Sequence, residues 1–434
     1  MSSLKKKFAE KAVPVAGDVK SLLKDHGEVE IGKVTIGSVI DGMKGLPALL
    51  TMTSKLDPQE GIRFRGYSIP ELQEKLPKLT ADDEPLPEGL FYLMLLGELP
   101  TMEDVKAIGE DWKKRAVLPA HVGKVLDSLP ADSAPMADFA IGILALATES
   151  EFVKAYNSGV GKKDYWDSTY EDVMNFLAQL PLIAAYIYRK QYHNGKHIPA
   201  DPKLDWSANL AHMMGYDDPN IYKLFRLYLT IHADHEGGNV SAHTTHLVGS
   251  ALSNPFYSYA AGMLGLAGPL HGYANQEVIA WIYDMIKEIG TDHPTKQQIH
   301  EFCEKTIAAG RVIPGYGHAV LRKTDPRFVA QQEFAAKYCK GDPFVQIVND
   351  LYEVVPPILG SIGKIKNPWP NVDAYSGSLL MHYKIKEAPF YTVLFGVSRA
   401  LGVLASLLWD RAVGLQIERP SSYTLEWFKG KAGI

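Results

Sequence analysis

Residues 390–409, FYTVLFGVSRALGVLASLLW, are long and apolar enough to be taken for a membrane span, and how they are read decides the fold. Arg399 stands near the centre, with Ser398 beside it and Gly396 and Gly402 flanking. A guanidinium in the middle of a lipid-embedded helix is expensive. The stretch therefore reads as a helix buried in the core of a soluble protein. An unpaired guanidinium is also costly there, so Arg399 needs an anion. Two remain open: an internal Asp or Glu, or a substrate carboxylate, which the planar fork suits.

The 434 residues, 46% of them hydrophobic, allow a large core and suggest two or three domains. A net charge of −5 gives no basic excess for nucleic acid and no acidic tail for disorder. Cys303 and Cys339, the two cysteines, make neither a disulfide framework nor a zinc ribbon, which favours a reducing compartment. The first residues carry Lys5, Lys6 and Lys7 but no apolar run with a cleavage site, so no secretory signal is expected. Glu10, Asp18 and the lack of arginine argue against an intact transit peptide, though not against the start of a matured chain. The last residues, KAGI, are not a peroxisomal signal.

Outward from the apolar stretch the periodicity is helical almost everywhere, which predicts a mainly α fold. Residues 88–96 stop at Gly97, and Thr101 with Asp104 reads as a capping box opening the next helix. Helices are also predicted over 171–190, with a bend at Pro181, over 219–232 after an Asp218 cap, and over 243–252, 255–266 and 275–289. Strand signals are few: 29–34 and 61–64 are candidates for short hairpins.

Three loops each place a titratable group among glycines and prolines: GPLHG at 268–272, PGYGHA at 314–319 and NPWPNVD at 367–373. Glycine permits close backbone approach and proline stiffens the frame, so His271, His318 and Asp373 become acid–base candidates. For each alone, an ordinary loop residue is as good a reading. A helix starting near Asn275 would keep His271 neutral and able to donate a hydrogen bond. Asp373 just before a helix would be acidified, whereas burial beside Trp369 and Pro370 would act the other way. As isolated residues, Arg327 and Arg419 read as surface arginines.

The segment 231–247 holds His232, His235, His243 and His246, but HExxH is absent, so helix packing plus a substrate contact is expected rather than a metal site. GSIGK at 360–364 ends like a P-loop without its first glycine, and neither GxSxG nor GxGxxG is present.

Taken together, the loops resemble the citrate synthase family. The motifs are LTIHADHEGGNVSAHTTHLVGSALS (229–253), GLAGPLHGYANQEV (265–278), GRVIPGYGHAVLRKTDPR (310–327), NPWPNVDAYSG (367–377) and FGVSRALGVL (395–404). GIRFRGYSIPE (61–71) and EPLPEGLF (84–91) extend the likeness over nearly the whole chain. It is closest to the mitochondrial branch of eukaryotes. The resemblance implies an almost entirely helical homodimer in the mitochondrial matrix. A large domain would be formed by residues 1–273 and 385–434, and a small one by 274–384. It implies an acyltransferase that condenses acetyl-CoA with oxaloacetate and hydrolyses citryl-CoA, with no metal or other cofactor, no nucleic acid and no membrane.

Residue by residue, the resemblance makes Asp373 the base on the acetyl-CoA methyl group. His271 becomes the donor to the enolate oxygen, and His318 the group that polarises and protonates the oxaloacetate ketone. His235, Arg327 and Arg399 grip substrate carboxylates, joined by Arg419 from the other subunit. Arg322 matches a coenzyme A phosphate contact. Two further basic positions of this kind fall on Lys44 and Lys162, where close relatives tend to carry arginine; lysine keeps the charge but loses the fork. The rival readings are a 2-methylcitrate synthase using propionyl-CoA, separated by one methylene of pocket, and a scaffolding protein of the same fold.

Overall fold

The computed structural model describes residues 2–363 and 365–434; Lys364, the last residue of the P-loop-like GSIGK, lies outside them. At its centre is the helix Tyr391–Val413, buried at every residue except Ser406, Asp410 and Ala412. It packs on Ser3–His26, Pro87–Leu96, Tyr165–Tyr192, Pro219–Ile231, Val240–Ser250 and Pro255–Leu266. Enclosure by helices on several sides is why its sequence is apolar almost all round. Pro87–Leu96 is buried at all ten positions for the same reason.

A second group packs mainly on itself: Ala274–Ile289, Lys296–Ala308, Pro326–Tyr338, Pro343–Ser361 and Asp373–His382. It touches the first group through Pro326–Tyr338, which lies on Ile69–Lys75 and Pro219–Ile231, and through Ala274–Ile289 on the central helix.

Helix starts follow local chemistry. Asp218-Pro219, Asn254-Pro255, Asp325-Pro326 and Asp342-Pro343 each pair a capping side chain with a proline in the first turn. The side chain takes an orphan N–H, and the proline has none to lose. The box at Thr101 and Asp104 forms, and Gly97 ends its helix left-handed. Pro181 lies inside the long helix Tyr165–Tyr192.

The sheet has three short antiparallel strands in the order β1 (Ser54–Asp57), β2 (Gly61–Phe64) and β3 (Tyr67–Ser68), with Ser54 opposite Phe64 and Arg63 opposite Ser68. Residues 29–34, expected as a strand, lie outside it: Val29, Ile31 and Val34 are exposed on unpaired chain. Alternation alone cannot supply the partner that a strand requires.

Candidate active site

Arg399 is 1% exposed. Its Nε donates to the His232 carbonyl at 3.1 Å, an Nη reaches Asn239 Oδ1 at 3.4 Å, and the guanidinium lies 4.7 Å from the Phe395 ring centre. Among the described residues no carboxylate forms an ion pair with it. The nearby Asp234 carboxylate is occupied by the hydroxyls of Thr53 at 2.6 Å and Ser54 at 2.8 Å. Burial lowers the Arg399 pKa to about 10, which leaves it cationic at neutral pH. Of the two anions open from sequence, the internal carboxylate is thus not in direct contact, and donors of Arg399 stay free.

The same buckle fixes the loop carrying His235. Ser54 Oγ also accepts the Glu236 N–H, and the Glu236 carboxylate accepts the Leu56 N–H. Glu236 is left-handed at φ 54°, a strained state for a residue with a side chain. Gly402 of the central helix donates to the Ala233 carbonyl at 3.1 Å, and a Cβ there would run into Asp234. The small sheet thus serves to press the His235 loop onto the helix of Arg399.

His271 lies in the turn after Pro255–Leu266. Its Nε2 accepts the Ser241 backbone N–H at 3.3 Å, with the Ser241 hydroxyl at 2.8 Å. An accepting Nε2 puts the ring proton on Nδ1. Burial, then the charge of Arg399, lowers its pKa to about 4. His318 has the opposite tautomer: Nδ1 accepts the N–H groups of Val320 and Leu321 at 3.0 and 3.1 Å, so Nε2 carries the proton. Burial and Arg327 lower its pKa to about 4. The His235 ring lies 5.5 Å from that of His318, and burial holds it well below the usual histidine value. All three imidazoles are neutral at pH 7.

Arg327, which reads as a surface residue from sequence, is 4% exposed. The cap Asp325 folds it back, accepting from Nη2 at 2.6 Å and from Nε at 3.0 Å. Although burial works against it, this pairing holds Asp325 below the usual carboxylate range.

Asp373 is the first residue of Asp373–His382, yet burial overrides the helix terminus and raises its pKa to about 6, against the charges of Arg327 and Arg399. The loops bearing His318 and Asp373 are stitched together. Gly317 N–H meets the Trp369 carbonyl at 3.0 Å, Asn371 N–H meets that of Gly315 at 2.9 Å, and Asp325 N–H meets that of Pro370 at 3.2 Å. Gly315, at φ 77°, sits so close to the helix start that a Cβ would lie 2.8 Å from Ala374 Cα.

His235, His271, His318 and Asp373 are each partly exposed, so the cluster lines a cleft rather than a sealed core. A carboxylate that is mostly ionised yet poorly solvated can remove a weakly acidic proton, neutral imidazoles can donate to developing oxyanions, and the arginines can hold carboxylates.

The other candidates stand apart. Arg322 is exposed at the exit of the His318 loop, where one Nη reaches the carbonyls of Val320 and Leu321, both at 2.8 Å. Lys44 lies on an exposed turn. Lys162 lines a small cavity with Ser250 and Leu415, at the far end of Val240–Ser250, and Arg419 is exposed. The remaining histidines of the 231–247 segment face away from this cluster's acid–base groups in their hydrogen bonds: His232 meets the Tyr228 carbonyl at 2.8 Å, His243 meets Glu418 at 2.9 Å, and His246 meets Asp410 at 2.8 Å with Glu418 3.6 Å from its other nitrogen.

Residues 42–421 match the family model described as citrate synthase, C-terminal domain. The chain is 56% identical over 411 residues to the citrate synthase, mitochondrial, of Daucus carota, covering 95% of this chain and 87% of that one. Among solved structures it is similar to citrate synthase from Pyrobaculum aerophilum, with a TM-score of 0.76, 28% identity and 91% and 95% of the two chains covered. The ternary complex of the Thermoplasma acidophilum citrate synthase with carboxymethyl coenzyme A and oxaloacetate matches in fold, with a TM-score of 0.75 at 21% identity over 90% of this chain and 97% of that one.

Proposed function

The chain belongs to the citrate synthase family, and from that premise we propose how its own residues divide the work of condensing acetyl-CoA with oxaloacetate. The observation that carries the reading is Arg399, a buried guanidinium with free donors and, among the described residues, no ion-paired carboxylate, whose charge bears on the neutral imidazoles of His235 and His271 and on Asp373.

Oxaloacetate is held through its carboxylates by His235, Arg327 and Arg399, and by Arg419 of the partner subunit. Asp373 takes a proton from the acetyl-CoA methyl group. The enolate oxygen of the thioester accepts from His271 Nδ1–H. The methyl carbon then attacks the oxaloacetate ketone, whose oxygen accepts from His318 Nε2–H and takes that proton as the carbon–carbon bond forms. Water cleaves the thioester of citryl-CoA to give citrate and coenzyme A. Arg322, Lys44 and Lys162 serve coenzyme A phosphates. The thioester acidifies the methyl group, so a carboxylate and one hydrogen-bond donor suffice for enolisation, and no metal enters the scheme.

The protein works as a homodimer. Val240–Ser250 and Pro255–Leu266 pack on each other and turn Val240, Leu247, Tyr257 and Leu264 outward at 56%, 43%, 50% and 62% exposure. Such a face favours self-pairing. Residues 274–384 form the smaller, moving domain, carrying His318 and Asp373 towards His235, His271 and Arg399. The mitochondrial names of the relatives support placement in the matrix.

Release of free thiol with oxaloacetate, measured in EDTA with acetyl-CoA and with propionyl-CoA, tests this. Acetyl-CoA should turn over faster, unaffected by the chelator. Equal or faster propionyl-CoA turnover would reassign the substrate, and loss of activity restored by zinc or manganese would overturn the metal-free scheme.

A further inference from the structure

Residues 416, 417, 419 and 420 are exposed, but Glu418 among them is not. Its N–H donates to Ser250 Oγ at 3.0 Å. One carboxylate oxygen accepts from His243 Nε2 at 2.9 Å, and the other lies 3.6 Å from His246 Nε2 with no hydrogen-bond partner among the described residues. His246 Nδ1 meets Asp410 of the central helix at 2.8 Å. Two imidazoles thus converge on a single residue of an otherwise exposed stretch, and one of them is backed by Asp410.

Placement gives this network a purpose. Ser250, His243 and His246 all belong to Val240–Ser250. The opposite end of that helix holds the cleft: Ser241 fixes His271, and the capping residue Asn239 meets Arg399. Pro420 restricts the backbone on the other side of Arg419. The root of Arg419 is therefore fixed to within one residue, while its long side chain stays free.

We propose that Glu418, clasped by His243 and by the His246–Asp410 pair, is a positioning residue that sets Arg419 for the neighbouring subunit's substrate; this rests on the reading of Arg419 as a carboxylate grip. The helix Val240–Ser250 then serves both sites of the dimer, aligning His271 and Arg399 at one end and the arm bound for the partner at the other. A tether that only stabilised the tail would be indifferent to which substrate is bound.

The test is a cycle on the full-length dimer: Glu418→Gln, His246→Gln, Arg419→Ala and the double variant Glu418→Gln/Arg419→Ala. Melting temperature and dimer mass serve as controls for folding. Glu418→Gln and His246→Gln should each raise KM for oxaloacetate about tenfold, with kcat within about twofold and KM for acetyl-CoA unchanged. The double variant should be no worse than Arg419→Ala alone, because a residue acting through Arg419 has nothing left to act on. An unchanged oxaloacetate KM in Glu418→Gln, or independent, multiplying effects in the double variant, would overturn the clamp while leaving the grip intact. A wild-type oxaloacetate KM in Arg419→Ala would instead remove the grip, and the clamp with it.

Discussion

Asp373 ties activity and stability to the same burial. Its carboxyl moves from 3.8 to about 6 on folding, so the proposed base is protonated, and kcat/KM for acetyl-CoA lost, as pH falls through about 6. A raised folded-state value means the folded chain binds this proton more tightly than the unfolded one. The contribution of Asp373 to stability therefore declines as pH rises from about 4 to 6 and stays unfavourable above. Asp373→Asn should accordingly raise the melting temperature at pH 7.5 while turnover collapses, as calorimetry beside a thiol-release assay would show; unchanged turnover would reject the base. His271→Ala should lower kcat by roughly 10²–10³, the usual loss for one preorganised oxyanion donor, with the dimer intact by light scattering. His271, His318, Asp373 and Arg399 were legible because each is chemically out of place, a titratable group framed by Gly and Pro or a charge in an apolar helix. Ser241, Thr53 and Ser54 were not, since hydroxyls occur everywhere and only the fold shows which one orients an imidazole or occupies Asp234. Arg327 misleads for a related reason, because periodicity cannot show a capping aspartate folding a guanidinium inward.

Elements were easiest to read where a boundary is encoded locally. Asp218 before Pro219 and Thr101 with Asp104 supply their own hydrogen bonds, so no distant partner is needed. The helix Val240–Ser250 begins three residues before the expected His243, because its cap Asn239 is hidden among other polar residues. The expectation for 29–34 failed because pairing is a property of two segments. The stitched loops show what glycine contributes beyond flexibility: Gly315 is required both by its φ of 77° and by its contact with Ala374. Gly315→Ala should destabilise the protein by about 1–3 kcal/mol and depress kcat, since the displaced loop carries His318. Denaturant unfolding with single-turnover kinetics would check this; a wild-type midpoint would show that the contact relaxes freely.

At the scale of the molecule, the central helix was legible as a buried span, but the assembly was not, since no local signal marks Arg419 or the outward face of Val240–Ser250. If each site needs two chains, Arg419→Ala and Asp373→Asn homodimers should both be nearly inactive. Re-associated mixtures should recover up to about a quarter of wild-type activity, through the one undamaged site in each mixed dimer. Verified subunit exchange with no recovery would place Arg419 within its own chain. Saturating oxaloacetate alone should compact the dimer in small-angle scattering, as residues 274–384 swing in and shield the reacting carbons from water. The stitching of 314–318 to 367–374 also governs how such a gene can recombine. A crossover between the codons for 325 and 367 would join loops of different ancestry along one hydrogen-bonded seam, whereas crossovers near 274 and 384 pass the seam on whole. Lineages that exchange segments of this gene should therefore inherit the two loops together, although more than forty codons separate them.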